Sequence, residues 1–484
     1  MTTAPARAGH RVGSAVALYF VITAAWALTV ARAIPYRDGD RGVFASVAER
    51  VVAGDRLYID VWDNKEPLFY LTLALGRTVS PYIDVLLELI WLVAGSLATY
   101  SIARFFGSTS STAALVGWAG APLILTGGAY AAGFTHLPGT VLVLAFYALM
   151  LQGRLLVAGA LLPVIAAFKI LALPVAFAVL LVYLIRHRAS GWGRIALGAG
   201  GAVVGLAALL LLRGELGGFL TLIRTNLTYS QADLADAYRW PIWSHIEPVL
   251  QGSTVATIAV ITLILTLTWR SLSSDLAGLW WTVFAALASG LLVIAATGLW
   301  PHHAQILFTA AALSLVLLVV AASDLRQLRP AAFVVVIAAT VLLNGAPSLR
   351  ATADSLLSAP TRWSDLSRTA GPSQELLAVA AAGNTYARLG KNTDDTHAQG
   401  LRDLELVCYQ FLQYPYDPPS NLSRIPECLP SADFVLVDVT LAPEPGMDSW
   451  NDFVLRSEQV LAEHFTCESA DWGRLCIRNT ESKI

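Results

Sequence analysis

Charge is scarce in this sequence. Of 484 residues only 14% are charged and 56% are hydrophobic, with a mean hydropathy of +0.60, whereas a soluble chain carries roughly 25% charged residues. The scarcity is uneven. Residues 346–484 hold 19 of the 34 acidic and 11 of the 32 basic side chains, a net of −8, which leaves 15 acidic against 21 basic, a net of +6, in residues 1–345. The overall −2 therefore averages two unlike parts. Cysteine does not occur before Cys408, and there is no internal repeat, low-complexity tract or long linker. These absences exclude a single soluble globule, a disordered chain and a nucleic-acid binder of the basic-patch kind. What remains is a polytopic α-helical membrane protein with a small soluble C-terminal domain.

Apolar stretches recur through residue 345, most near the 17–25 residues a spanning helix needs. Eleven are expected, at 13–33, 83–105, 111–127, 138–152, 155–169, 171–186, 194–213, 248–269, 276–298, 304–322 and 330–345. Pro174 and the polar Lys169 favour a break within 155–186, because proline disrupts the helix ladder and a lone ammonium in hydrocarbon is costly. One alternating set of loops carries Arg7, Arg11, Arg104, Arg154, Arg186, Arg188, Arg194, Arg270, Arg326 and Arg329, opposed only by Asp275 and Asp324. By the positive-inside rule that face is cytoplasmic. The N-terminus is then cytoplasmic, and 34–68, 127–137, 214–247, the 299–303 turn and the C-terminal domain are extracytoplasmic. The first span reads as a retained anchor, since no small-residue cleavage site follows it.

All four cysteines, Cys408, Cys428, Cys467 and Cys476, fall in the part placed outside. Cys467 and Cys476 flank a turn-like segment between two strand-like runs and suit a hairpin staple, while Cys408 with Cys428 would close a Pro-rich loop. Two disulfides are the favoured reading; zinc is the alternative, but the spacing lacks a CxxC pair. Residues 346–484 read as a small α/β domain. ADFVLVDV (432–439) and RLCIRN have strand character, WNDFVLRSEQVLAEHF has helical spacing, and ELLAVAA (375–381) fits either. The sequons at Asn226 and Asn421 are better explained by chance.

The first external loop, IPYRDGDRGVFASVAERVVAGDRLYIDVWDNKEPLFYL, is neither short nor bland. Val43, Val47 and Val51, with Phe44 and Ala48, share one helical face and predict a short helix along the membrane surface. Gly54 should end it, and Tyr58 and Trp62 should anchor the return at the interface. The loop carries Asp38, Asp40, Arg41, Asp60, Asp63 and Lys65. Any one loop acid is usually just solvated; six charges around an interfacial helix weaken that account. Lys169 sits at the external end of its span, where snorkelling competes evenly with a functional role. His302 and His303 follow Trp300-Pro301 at the start of a late span, and His136 begins another on the same face. Convergence of Asp40, Lys65, Lys169 and His302 on one face is the functional signal.

Asp40-Arg-Gly-Val-Phe44, followed by Gly54-Asp-Arg-Leu-Tyr58-Ile-Asp60-Val-Trp62-Asp63-Asn-Lys65-Glu-Pro67-Leu68, resembles the first-loop signature of bacterial GT-C type membrane glycosyltransferases. These are the dolichyl-phosphate-mannose-protein mannosyltransferase-like enzymes (glycosyltransferase family 39, aminoarabinose-transferase-like). The likeness covers most of 15–325 as architecture, but only the first-loop motif is specific. It implies a polyprenyl-phosphate sugar as donor, transfer on the extracytoplasmic face of the plasma membrane, and a glycan, lipid or protein as acceptor. Asp40 matches the acidic first-loop residue near the reacting centre, and Lys65 the lysine near the donor phosphate. Two positions depart from the pattern: Glu66 replaces the first proline of Lys-Pro-Pro, and His136 stands where many relatives have Glu.

The chemistry suits these residues. A carboxylate within reach can take the proton of an attacking hydroxyl, so Asp40 is the candidate base, with Asp38 its alternate or orienter. Lys65, Lys169, His302 and His303 can neutralise the charge that builds on the departing phosphate. Tyr58, Asp60, Asp63 and His136 are candidate substrate-binding residues. Asp38-Gly-Asp40 also has the spacing of a DxD metal pair; a simple acidic turn is preferred, which requires no cofactor and leaves a divalent metal as an alternative. The competing function is a transporter or flippase of lipid-linked sugars, which should show midplane charges and repeat symmetry that this sequence lacks. A purely structural membrane component ranks third, since it leaves the first-loop cluster unexplained.

Overall fold

Backbone polar groups in hydrocarbon must be satisfied within the chain, so apolar stretches of spanning length fold as helices. The computed structural model describes residues 40–79, 83–125, 135–188, 191–237, 274–297, 301–324, 385–390, 405–408, 413, 417, 419–438, 441–470 and 473–479. Among the described residues two short helices come first, α1 (Asp40–Ala53) and α2 (Pro67–Arg77), joined by the irregular segment 54–66. Then follow α3 (Ile83–Phe105), and α4 (Ser110–Leu115) joined to α5 (Ala121–Leu125) through a π turn, Val116–Gly120. Next are α6 (His136–Leu151), α7 (Leu155–Phe168), α8 (Leu173–Arg186), α9 (Trp192–Leu212), α10 (Leu216–Ala237), α11 (Ser274–Ala296) and α12 (Phe308–Asp324).

Four stretches, Leu86–Phe105, Trp192–Leu212, Asp275–Ala296 and His303–Ala321, are long and apolar enough to cross a membrane, and α6 to α8 are shorter apolar helices. This is the pattern of a multi-pass membrane protein. The runs expected at 83–105, 111–127, 138–152, 155–169, 171–186, 194–213, 276–298 and 304–322 fall on these helices. Those expected at 13–33, 248–269 and 330–345, and the segment 375–381, lie outside the described residues. α12 is apolar all round and buried from Phe308 to Ala321, the position such a helix must take. By contrast α9 buries only Ile195, Gly198 and Leu210 and turns Leu197, Val204 and Leu212 outward.

The expected break within 155–186 is at Lys169, whose backbone is extended (φ −160°, ψ 98°). A 3-10 turn, Ile170–Ala172, leads into α8, and Pro174 sits in the first turn of that helix, where a missing N–H costs nothing. The segment 214–247, read from sequence only as extracytoplasmic, contains the 22-residue helix α10. Its polar residues suit a helix because the hydroxyls of Thr221, Thr225 and Thr228 return to the carbonyls of Gly217, Thr221 and Arg224.

The C-terminal strands β1 (Thr385–Leu389), β2 (Glu405–Leu406), β3 (Phe434–Asp438), β4 (Phe465–Ala470) and β5 (Gly473–Arg478) form a mixed sheet in the order β2-β1-β3-β5-β4. β1 runs parallel to β2 and β3, whereas β5 is antiparallel to β3 and β4. Alternation along β3 sends Val435 and Val437 towards α13 (Asp448–His464), with Trp450, Phe453 and Leu461 in the same cluster. Phe434 and Leu436 point the other way and join the apolar cluster that holds α1 and the helical body. Disulfides link Cys408 to Cys428 and Cys467 to Cys476, the latter pair directly opposed across β4 and β5.

Two glycines let α7 and α9 approach closely. A Cβ at Gly198 would lie 2.0 Å from the Leu156 carbonyl oxygen, and one at Gly159 would lie 2.1 Å from that of Ile195. Gly201 on the same helix faces open space. Gly198→Ala is therefore expected to destabilise the protein by about 1–3 kcal/mol through overpacking. Gly201→Ala should leave stability unchanged or raise it by up to about 1 kcal/mol. Melting temperatures of the two variants in detergent test the difference, and equal values would refute the packing argument.

Candidate functional site

α1 forms where the shared face of Val43, Val47 and Val51 predicts a helix, but that face, with Phe44 and Ala48, is buried in the protein's own core instead of lying on a membrane surface, and Gly54 leaves the helix with φ +108°. Asp40 is the first residue of α1. Asp38 lies outside the described residues. Phe44 packs edge-on to Phe69 of α2, with ring centroids 5.1 Å apart, and Lys65 Nζ lies 5.5 Å above the Phe44 ring. The two halves of the first-loop motif thus meet, with the lysine of one over the aromatic of the other.

The segment 54–66 has no ladder of its own beyond a bridge between Leu57 and Val61, so its side chains hold its shape. The Asp60 carboxylate accepts from Arg56 N, Nε and Nη2 at 2.8–2.9 Å. That guanidinium holds the Asp60 carboxyl below the usual carboxylate range. The latch therefore persists at neutral pH and is lost as pH falls through the lowered pKa. Asp63 accepts from the Tyr70 hydroxyl and, at 3.2 Å, from Lys65 N. Tyr58, with φ +66°, donates its hydroxyl to Lys65 O at 2.7 Å. Burial pushes the Tyr58 hydroxyl well above its ordinary pKa, aided by the charges of Glu66, Asp63 and Glu215, so it stays a neutral donor. Tyr58 and Trp62 do not anchor the loop at a membrane surface as expected; both are buried in the protein, where Tyr58 meets Phe219 of α10. Close approach of α10 requires Gly218, whose Cβ would lie 2.7 Å from that of Tyr58.

Two further residues brace this segment from α10 and its approach. Glu215, fully buried, accepts Leu57 N at 2.9 Å and is paired with both Nε and Nη2 of Arg213. Asn226 Nδ2 donates to Asn64 O at 3.0 Å, which engages one sequon asparagine, and Asn421 of the other is buried. Neither Glu215 nor Asn226 stood out in the sequence as part of the site, because nothing in their spacing links them to the first loop.

The other candidate groups gather at the same end. Glu66 Oε1 accepts the N–H of Ile170 at 2.8 Å, joining the residue after Lys65 to the residue after Lys169. Lys169 is buried in the protein, 6% exposed, rather than snorkelling outward. A Cβ at Gly139, in the first turn of α6, would lie 2.9 Å from the Lys169 Cβ. His136, the first residue of α6, is also buried, and its ring lies 5.4 Å from that of His303. His303 Nδ1 shares a hydrogen bond with Thr297 Oγ1 at 2.8 Å. Both His302 and His303 belong to the 3-10 turn Pro301–Leu307 that leads into α12. In that turn Gln305 O accepts from Thr140 Oγ1 at 3.2 Å, while the Gln305 side chain is buried with neither polar atom bonded. Lys65, Lys169, His136 and His303 therefore share one end of the bundle with the first loop. Among the described residues no group of three or more His, Cys, Asp or Glu is placed to hold a metal ion.

A solved structure has the same overall shape. The crystal structure of ArnT from Cupriavidus metallidurans bound to undecaprenyl phosphate superposes with a TM-score of 0.58 at 15% sequence identity, covering 99% of each chain. The chain has an ArnT-like fold. No protein-family model matches it, and comparison with curated proteins finds no match by sequence. The ArnT-like fold spans both the helical body and the C-terminal sheet, so the two parts are one architecture rather than a body with an unrelated appendage.

Glu215 is the bond between α10 and the first loop that is most open to test. Glu215→Ala orphans the Leu57 N–H and is expected to cost about 1–3 kcal/mol. The variant should melt at a lower temperature and be cleaved faster within 54–66 in limited proteolysis. Cleavage at the wild-type rate would show that the loop is held by other means.

Proposed function

We propose that the protein is an integral-membrane glycosyltransferase that moves a sugar from a polyprenyl-phosphate donor to an extracytoplasmic acceptor. The observation that carries this reading is the meeting of the Lys65 and Lys169 segments through Glu66 and Ile170, at the end where His136 and His303 also lie. The ArnT-like fold adds support, since the ArnT crystal structure holds undecaprenyl phosphate.

In this mechanism Asp40 removes the proton from an acceptor hydroxyl as its oxygen attacks the anomeric carbon, with Asp38 as orienter or alternate. The bond from that carbon to the phosphate oxygen breaks, and polyprenyl phosphate leaves with the electron pair. Lys65, Lys169, His302 and His303 oppose the charge it gains, in surroundings where little water competes and fixed cations act strongly. The side chains of Asp60, Asp63 and Tyr58, tied into the loop, shape the site, and His136 lines it. The activated donor is already lipid-linked, so a nucleotide site has no role.

The test is a transfer assay with purified protein and a panel of polyprenyl-phosphate sugars bearing hexoses, pentoses or aminopentoses. Asp40→Asn is expected to lower turnover by about 10²–10⁴-fold, the usual contribution of a general base, while undecaprenyl phosphate binding persists. Wild-type turnover in that variant would sink the assignment of the base. Should the wild-type protein consume no donor yet carry lipid-linked sugar across liposome membranes, it is a transporter.

A further inference from the structure

Glu66 is an unusual residue to bury. It is 5% exposed, Oε1 accepts from Ile170 N at 2.8 Å, and Oε2 has no hydrogen-bond partner. Burying a carboxyl group with one oxygen unbonded opposes folding, and the single bond it makes offsets only part of that cost. Its place in the chain gives that bond a purpose. Glu66 caps the start of α2 in extended backbone (φ −73°, ψ 152°), and Lys169 is extended at the break between α7 and the 3-10 turn. Glu66 and Lys169 are the end residues of α2 and α7, two helices that pack on each other, so the packing brings these ends together and the Glu66 bond fixes the last step between them. The break also frees the Ile170 N–H from the α7 ladder, since the ladder closes with Lys169 N on Ile165 O. One side chain thus joins two stretches of irregular backbone, each with a lysine next to the joined residue.

We infer that Glu66 is a positioning residue whose bond to Ile170 N sets the separation of Lys65 and Lys169 and so their grip on a lipid-linked phosphate. The inference rests on the transferase reading above. Lys65 is further steadied by Asn64 Oδ1, 2.6 Å from its Nζ, and the Lys169 side chain lies close against Gly139, where a Cβ would come within 2.9 Å of the Lys169 Cβ. The Glu66 bond joins these two supported halves directly.

The experiment measures undecaprenyl phosphate binding to the purified full-length protein in phosphatidylcholine nanodiscs, with donor kinetics alongside. Glu66→Gln keeps a side-chain oxygen that can accept from Ile170 N and should bind within about threefold of wild type. Glu66→Ala should weaken binding about tenfold, the upper end of what one hydrogen bond contributes, and raise the donor KM more than it lowers kcat. Ile170→Pro removes the same bond from its donor side; proline is tolerated at the start of a helical turn, and the extended Lys169 suits the residue before it. Its loss should match that of Glu66→Ala, and the double variant should be no weaker than either alone. Glu66→Ala binding like wild type, Glu66→Gln as weak as Glu66→Ala, or losses that multiply in the double variant would each overturn the inference. If Glu66→Ala does not fold, Ile170→Pro compared with wild type decides. Wild-type protein that fails to bind undecaprenyl phosphate overturns the transferase reading and this inference with it; wild-type binding unaltered by the variants overturns this inference alone.

Discussion

A charged side chain inside an apolar helical body is costly to bury unless an opposite charge or a hydrogen bond meets it. The arrangement at the first-loop end follows from that constraint. Glu215 is buried against Arg213 and the Leu57 N–H; Arg77, 6% exposed, donates to Glu49; Glu66 takes the N–H of Ile170. The Glu215 and Glu66 bonds reach irregular backbone that has no ladder, and the Arg77 pair ties α2 to α1 on either side of it. Charges that are costly to bury are in this way the fastenings of the segment 54–66, and the segment in turn carries Lys65. The loop acids that are merely solvated in an ordinary connector are here structural.

Irregular backbone recurs where the candidate groups lie. Lys169 interrupts two helices, His303 sits in a 3-10 turn, and His136 opens α6. Backbone freed from helices needs partners, and polar side chains supply them. Some capacity remains unused at this end. Glu66 Oε2, Thr135 Oγ1 and both polar atoms of the Gln305 side chain are buried without hydrogen-bond partners. Left unsatisfied, such groups cost about 1–3 kcal/mol each.

The sequence made the helices legible because hydropathy over twenty residues is a strong, local signal, and it made α1 legible because Val43, Val47 and Val51 share a face. It marked Lys169 because a lone ammonium interrupts an apolar run, and Lys65 because it belongs to the charged first-loop motif. It showed 214–247 only as an extracytoplasmic segment and not as α10, whose threonine hydroxyls bond back along the helix. Tyr58 and Trp62 were misplaced at a membrane surface, because an aromatic under a neighbouring helix reads the same as one beside lipid. The roles of Glu66, Glu215 and Asn226 were not readable at all. Their partners lie 104, 158 and 162 residues away in the chain, and no periodicity reports a contact at that range.

The C-terminal sheet belongs to the same structural logic as the loop. Arg50 of α1 donates to the Cys408 carbonyl and to Asp60 O, and Arg424 donates to Ile59 O at 2.7 Å. The disulfide between Cys408 and Cys428 joins the two C-terminal stretches that make these contacts, since Arg424 and Cys428 share one short helix. On the same side of the sheet Phe434 and Leu436 join the apolar cluster of α1. The segment 54–66 is consequently held from three directions: by α1 and α2 in sequence, by α10 through Glu215 and Asn226, and by the C-terminal sheet through Arg50 and Arg424. A loop so constrained loses little conformational entropy when a substrate binds, which is the condition under which its few charges act at full strength.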